Sequence, residues 1–239
     1  MCAKFSSEKP SLNEDPFDDA ALLESDYQRA LDYADEVIEG LPKLVGMTLP
    51  EMRELSLTDL AIALIPGIET INPDPNTVWH RVSDAAAYEL YFEGKRNPDA
   101  YDTAIEICTR NLHNGAPLPV GLRQLMIGEL QGSYKRVKRV GPKPKGDFAR
   151  RWLLYQEAHF IADAFNLHLT RNDASNANSA CDVLVNSSEI HGYSIKYNTL
   201  RDWCTHSDYA GFRARADRLS NFLKDRYLQS LGVIRCRPS

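Results

Sequence analysis

The chain has 239 residues, 43% of them hydrophobic and 26% charged, which is enough for one large domain or two modest ones with ordinary cores. No apolar run approaches the roughly 20 residues that a membrane-spanning helix needs, and the first residues lack the apolar stretch of a secretion signal. Five scattered cysteines argue against a disulfide scaffold or a zinc knuckle and favour reduced thiols, so we expect a cytoplasmic protein.

The net charge of −5 conceals a difference between the two ends of the chain. Residues 1–70 hold 5 Lys/Arg against 15 Asp/Glu, a net of −10, while residues 133–239 hold 18 against 10, a net of +8. Such a difference in sign within one chain points to contact with nucleic acid. We therefore expect the basic part to bind phosphates, and the acidic part to be free for protein partners or for masking the basic part.

The acidic end begins with residues 1–16, which are polar and contain two prolines, so we expect a disordered lead-in. In residues 17–132 apolar side chains recur at three- and four-residue steps, which predicts an acidic helical domain of about five helices. The first of these helices is predicted to end near Gly40 and Pro42, because a glycine followed by a proline is typical of a helix C-terminus.

Two later helices of this domain are predicted from their caps. Ser56 can cap one of them, and Asn97 followed by Pro98 is typical of the start of another. Between them, residues 73–75 (Pro-Asp-Pro) predict a turn and residues 78–91 an amphipathic helix. This part of the sequence shows no sustained alternation of β-branched residues, so we expect no strands.

Residues 133–147 are interpreted as a basic hinge. Pro142 and Pro144 each lack an N–H and fix φ, so the segment is not expected to be helical. A solvated linker is the alternative that the sequence leaves open. Six cations of the hinge, with no acid among them, are expected to hold phosphates: Lys135, Arg136, Lys138, Arg139, Lys143 and Lys145.

Residues 148–239 predict a second, basic helical domain. Its first stretch, residues 148–165, is apolar on more than one side, which predicts a central helix. Further helices are expected at residues 177–190 and 208–231, with a shorter one from Ile195 to Cys204.

Residues 177–204 fit a helix-turn-helix in which Ser194 caps the second helix and Ile195, Leu200 and Trp203 face inward. The N-terminal side chains of such a helix can contact base edges in the major groove, and Arg and Asn suit guanine and adenine. The residues left facing outward, which we expect to bind DNA, are Lys196, Tyr197, Asn198, Thr199 and Arg201.

The run from Tyr193 to Trp203 resembles the turn and recognition helix of helix-turn-helix domains in phage and mobile-element proteins. It departs from their pattern at the usual glycine position, which holds Ser194, and at Ile190, where a small residue is usual. The resemblance implies a helical fold that binds duplex DNA. A helical hairpin inside a core is the alternative.

The hinge residues 141–146 are similar to the AT-hook, a short extended segment that enters the minor groove of A·T-rich DNA, with lysines in place of its arginines. The similarity implies contact with a narrow groove, which attracts cations. If six phosphates were neutralised, log affinity should fall against log salt with a slope of about −5.

Patterns typical of catalysis or metal binding are missing from the sequence. The six histidines show no H-E-x-x-H spacing, and no G-x-S-x-G, Walker A or G-x-G-x-x-G run occurs. The acidic residues 14–19 lack the ordered spacing of a calcium loop. We therefore expect no catalytic residues, no metal and no cofactor.

Together these patterns predict an all-α protein of two helical domains joined by the basic Pro/Gly hinge. We interpret it as a non-enzymatic regulatory or accessory DNA-binding protein, for example in transcription regulation of a phage or mobile element. The acidic domain would mediate dimerisation or hold a protein partner. The alternative is a protein-interaction adaptor with no nucleic-acid role; RNA in place of DNA, and an enzyme whose site assembles from distant residues, also stay open.

Overall fold

A computed structural model describes residues 18–135, 137, 146–171 and 178–223. Within those ranges the chain forms nine α-helices, two 3-10 turns (Glu51–Glu54 and Ser207–Tyr209) and one two-stranded antiparallel sheet. In chain order the elements are α1 (Asp18–Leu44), α2 (Leu57–Leu64), β1 (Ile68–Asp74), β2 (Thr77–Val82), α3 (Asp84–Glu93), α4 (Pro98–His113), α5 (Val120–Leu130), α6 (Phe148–Ala164), α7 (Ala180–Ile190), α8 (Tyr197–Thr205) and α9 (Ala210–Leu223).

The β1–β2 hairpin corrects the prediction of an all-α fold. Strand β1 pairs with β2 so that Ile68 lies opposite Val82 and Ile71 opposite Trp79, and the chain reverses at Pro75-Asn76. The helix expected over residues 78–91 is therefore β2 followed by the shorter α3. β-branched residues in both strands favour extended backbone, a signal that the search for helical periodicity overlooked.

A contact with α4 holds the hairpin in place. The Asn111 side chain accepts the His80 N–H (2.8 Å) and donates to the His80 carbonyl oxygen (2.7 Å), so a buried amide replaces a missing neighbouring strand. Since Asn111 lies 31 residues from His80 in sequence, a local pattern could not predict this contact.

The helix starts predicted at Ser56 and Asn97 are confirmed, whereas the end of α1 is not where glycine and proline indicated. The Asp59 N–H donates to Ser56 Oγ (3.0 Å) and the Asp99 N–H to Asn97 Oδ1 (2.9 Å). Helix α1 continues past Gly40 and Pro42 and ends at Leu44, two residues before Gly46, which has φ of +67°. There the Met47 N–H donates to the Pro42 carbonyl (2.9 Å), as in a Schellman motif.

Helix α6 lies at the centre of the fold, as its sequence predicted. Trp152, Leu153 and Leu154 are all buried, so successive residues around the helix meet neighbours on several sides. The Tyr33 hydroxyl of α1 donates to the buried Glu157 of α6 (2.8 Å), and the buried core includes residues from both ends of the chain. The division into domains at residues 17–132, 133–147 and 148–239 stays a prediction.

Candidate nucleic-acid interface

Helices α6, α7 and α8 pack against one another and form the region where a helix-turn-helix was predicted. A capping box at Ser179 and Asp182 begins α7. The helix ends where Gly192 takes φ of +76° and the Tyr193 N–H donates to the Ser188 carbonyl (2.8 Å). Gly192 thus provides the left-handed residue that turns the chain away from α7.

Helix α8 presents one buried and one exposed side. Ile195, just before the helix, and Leu200 and Trp203 within it are buried, as the pattern predicted. The prediction that Ser194 caps the helix is wrong: α8 begins at Tyr197 and its N-cap is Lys196, whose side chain makes no capping hydrogen bond.

Three of the predicted DNA-binding residues, Lys196, Asn198 and Arg201, are exposed near the start of α8, while Thr199 is half-buried. The Arg201 guanidinium lies 2.8 Å from the carboxylate of its neighbour Asp202. The Arg201 side chain is 45% exposed, so solvent screens this ion pair and the pair contributes little to stability.

Tyr197 has a different environment from the other predicted contacts. It is half-buried, and its hydroxyl oxygen accepts the Arg171 backbone N–H (2.6 Å). The Arg171 guanidinium lies 4.4 Å from the centre of the Tyr197 ring and pairs with Asp182 of α7. Burial favours a higher pKa for Asp182, but hydrogen bonds from Arg171 and Ser179 outweigh it and lower the pKa, so the pair stays ionised. Tyr197 therefore links α8 to α7.

Arginines from neighbouring helices fix α8 and the connection before it. The Arg150 guanidinium lies 3.9 Å from the centre of the Tyr193 ring in that connection, and its Nε donates to Asp147 (2.7 Å). The Arg213 guanidinium donates to the carbonyl oxygens of Trp203 (3.3 Å) and His206 (2.7 Å) at the C-terminus of α8. A cation at the end of a helix satisfies carbonyls that the helix leaves unpaired.

These contacts reduce the number of cations in residues 133–239 that are free to meet a ligand. The guanidinium groups of Arg150, Arg171 and Arg215 all pair with carboxylates, and Arg213 bonds to backbone oxygens. The net charge of +8 already counts the acids of this segment, so only Arg215, which pairs with an acid outside it, lowers the value by one. The roles of Arg171, Arg213 and Arg215 could not be predicted from the sequence, because their partners lie in other elements of the fold.

Most of the basic hinge lies outside the described residues. Lys135 is exposed, whereas Arg136, Lys138, Arg139, Lys143 and Lys145 lie outside the described residues. The start of the hinge is anchored by Tyr134, whose hydroxyl donates to the Tyr91 carbonyl of α3 (2.9 Å). The AT-hook similarity therefore stays a prediction.

Two thiols fill the space between α7 and α8. Cys181 and Cys204 are both buried, and hydrogen bonding to Cys204 together with burial raises the pKa of the Cys181 thiol. A protonated, buried thiol is a poor nucleophile and behaves as a small apolar side chain. We assign both cysteines to packing.

Within the described residues no group of three His, Cys, Asp or Glu side chains is arranged to hold a metal ion. None of the helices in those residues combines the length and the apolar character that crossing a membrane requires. Comparison with protein-family models, with curated proteins and with solved structures finds no match to this chain.

Proposed function

We propose that this chain is a non-enzymatic, regulatory or accessory protein that binds duplex DNA through α8, with the basic hinge holding phosphates. The observation that carries the proposal is the exposure of Lys196, Asn198 and Arg201 near the start of a helix that packs on α6 and α7 and whose Leu200 and Trp203 are buried. Exposed polar side chains on the first turns of a firmly held helix suit contact with base edges.

The arginines around α8 support the proposal because they make the exposed surface rigid. Arg150 fixes the connection through Tyr193, and Arg213 fixes the C-terminus of α8. A preorganised surface loses less conformational freedom on binding than a mobile one. In this arrangement Tyr197 and Thr199, both half-buried, act at the margin of the surface, where a backbone phosphate would pass.

The proposal can be tested by fluorescence anisotropy with labelled random-sequence duplexes. Charge reversal at both sites (K196E with R201E) should weaken binding at least about tenfold, because two phosphate or base contacts become repulsive. The control K43E with R81E changes the net charge equally at two cations whose side chains are each 67% exposed, on α1 and β2. Equal losses in both double variants, or no loss in either, would contradict a role for α8.

The same measurement separates the alternatives. Tighter binding to a hairpin RNA than to duplex DNA would assign RNA as the ligand. An adaptor without a nucleic-acid role would form protein complexes without changing the anisotropy of any nucleic acid. Exposed apolar side chains on α3 and α5, among them Phe92 and Ile127, favour this alternative.

A further inference from the structure

Large apolar side chains are exposed on the outer sides of α3 and α5. Tyr88 and Phe92 lie on α3, and Val120, Ile127 and Leu130 lie on α5. Phe92 is 52% exposed and Ile127 53% exposed. Such side chains on adjacent helices mark an interaction surface more often than isolated exposed residues do.

Helices α3 and α5 are close enough for these side chains to form one surface, which we call the α3–α5 face. A Cβ atom built on Gly121 of α5 would lie 2.7 Å from the Ala87 carbonyl carbon and oxygen of α3. Glycine therefore allows the two backbones to touch. The exposed Tyr88 and Val120 are the chain neighbours of Ala87 and Gly121, so they lie next to this point of contact.

Opposite charges lie at the two ends of α3. Asp84, Tyr88 and Phe92 follow one another at steps of four residues, which places them on one side of the helix. Lys95 lies two residues beyond the C-terminal end of α3, and both Asp84 and Lys95 are exposed. The Lys95 Nζ lies 5.7 Å from the centre of the Phe92 ring, so its positive charge is next to Phe92.

We propose that the α3–α5 face binds a second copy of this chain around a two-fold axis near residue 90. An antiparallel copy of α3 then places Tyr88 against Phe92 of the second copy and Asp84 against Lys95 of the second copy. In a two-fold interface each contact occurs twice, so both ends of the helix pair are neutralised. An acid at one end and a cation at the other complement the same helix reversed, whereas a uniformly charged partner would meet repulsion at one end.

Sedimentation of the full chain over a range of concentrations tests the face. The wild type should dimerise, and F92E should weaken dimerisation more than about tenfold because it places two carboxylates in an apolar contact. The control L112E adds the same charge at an exposed apolar residue of α4, 55% exposed, and should leave dimerisation unchanged. A wild type that stays monomeric overturns the proposal, and the α3–α5 face would then bind a different protein. Equal effects of F92E and L112E on dimerisation also overturn it.

Charge exchange tests the antiparallel register. D84K alone and K95D alone each turn both end contacts repulsive, and each should weaken dimerisation about tenfold. In a mixed dimer the lysine introduced by D84K meets the aspartate introduced by K95D at one end, and native Lys95 meets native Asp84 at the other. The mixed dimer should therefore form at nearly wild-type strength. Failure of the mixture to dimerise, with both variants helical by circular dichroism, overturns the register. The F92E comparison decides the face even if D84K does not fold, and neither test depends on what α8 binds.

Discussion

The Arg215 guanidinium of α9 lies 2.7 Å from Asp99 Oδ1 in the first turn of α4. The Asp99 side chain is 2% exposed and that of Arg215 is 11% exposed, so the pair is almost dry. Nearby, the Asn97 side chain donates to the Arg218 carbonyl oxygen (3.4 Å). A basic residue of the C-terminal part of the chain is thus buried against an acid of the N-terminal part and serves the fold.

Replacing Asp99 by Ala should lower the free energy of unfolding by about 3 kcal/mol, because it leaves a buried guanidinium without its carboxylate. The exposed pair of Glu69 and Arg81 has the same 2.7 Å separation and provides a matched control. E69A should cost less than about 1 kcal/mol, since solvent screens that pair. Chemical denaturation of both variants measures the difference, and similar losses would mean that burial of the Asp99–Arg215 pair is unimportant.

Much of the helical framework could be predicted from the sequence, because helix caps and amphipathic periodicity are local. Ser56, Asn97 and the apolar residues of α6 illustrate this. The β1–β2 hairpin could not be predicted in the same way, since the Asn111 side chain that bonds to His80 comes from a distant helix. Mainly helical architecture is thus predictable, while a short sheet stabilised by tertiary contacts is not.

Within the candidate interface, the sequence predicted which side of α8 is buried but not what its neighbours do. Burial of Ile195, Leu200 and Trp203 followed from their spacing. The contact of Arg171 with Tyr197, which is 26 residues away in the sequence, depends on three-dimensional proximity. Net charge by segment does not show which arginines hold the fold together, which is why it could not identify the cations that face solvent.

Replacing Gly121 by Ala should destabilise the protein by about 1–3 kcal/mol, because its methyl group would meet the α3 backbone at Ala87 and overpacking forces the helices apart. Gly211 of α9 is the matched control, since a Cβ there would meet nothing within 4 Å. G211A should stabilise by a few tenths to about 1 kcal/mol by restricting the unfolded chain. Thermal or chemical unfolding distinguishes the two, and a stabilising G121A would contradict direct backbone contact between α3 and α5.

Stability should fall as the pH drops below 6.5, partly because of His80. Burial lowers its pKa, and the nearby Arg110 lowers it further against the opposing effects of Asp59 and Glu106. Near pH 6.5 the imidazole of His80 binds a proton in the unfolded chain but not in the folded chain. The contribution of neutral His80 to the free energy of unfolding is therefore complete above pH 6.5 and is lost as the pH falls toward the folded-state pKa.

This effect is measured by the free energies of unfolding of wild type and H80N between pH 7 and pH 5. The free energy of unfolding should change less steeply with pH in H80N than in wild type. Burial also lowers the pKa of His159, so H159N should remove a further part of the pH dependence of stability. The double variant should then show the weakest pH dependence. Identical slopes in wild type and H80N would show that His80 takes up its proton equally in the folded and unfolded chains.

The salt dependence of DNA affinity should report how many cations contact phosphate. Full engagement of the six hinge cations alone predicts a log–log slope of about −5. Neutralising Lys196 and Arg201 by glutamine should reduce the magnitude of the measured slope by about 1 for each cation that touches a phosphate. K43Q with R81Q, at exposed cations of α1 and β2, should leave the slope unchanged. A weakened affinity with an unchanged slope would assign Lys196 and Arg201 to base edges, and an unchanged affinity and slope would remove α8 from the interface.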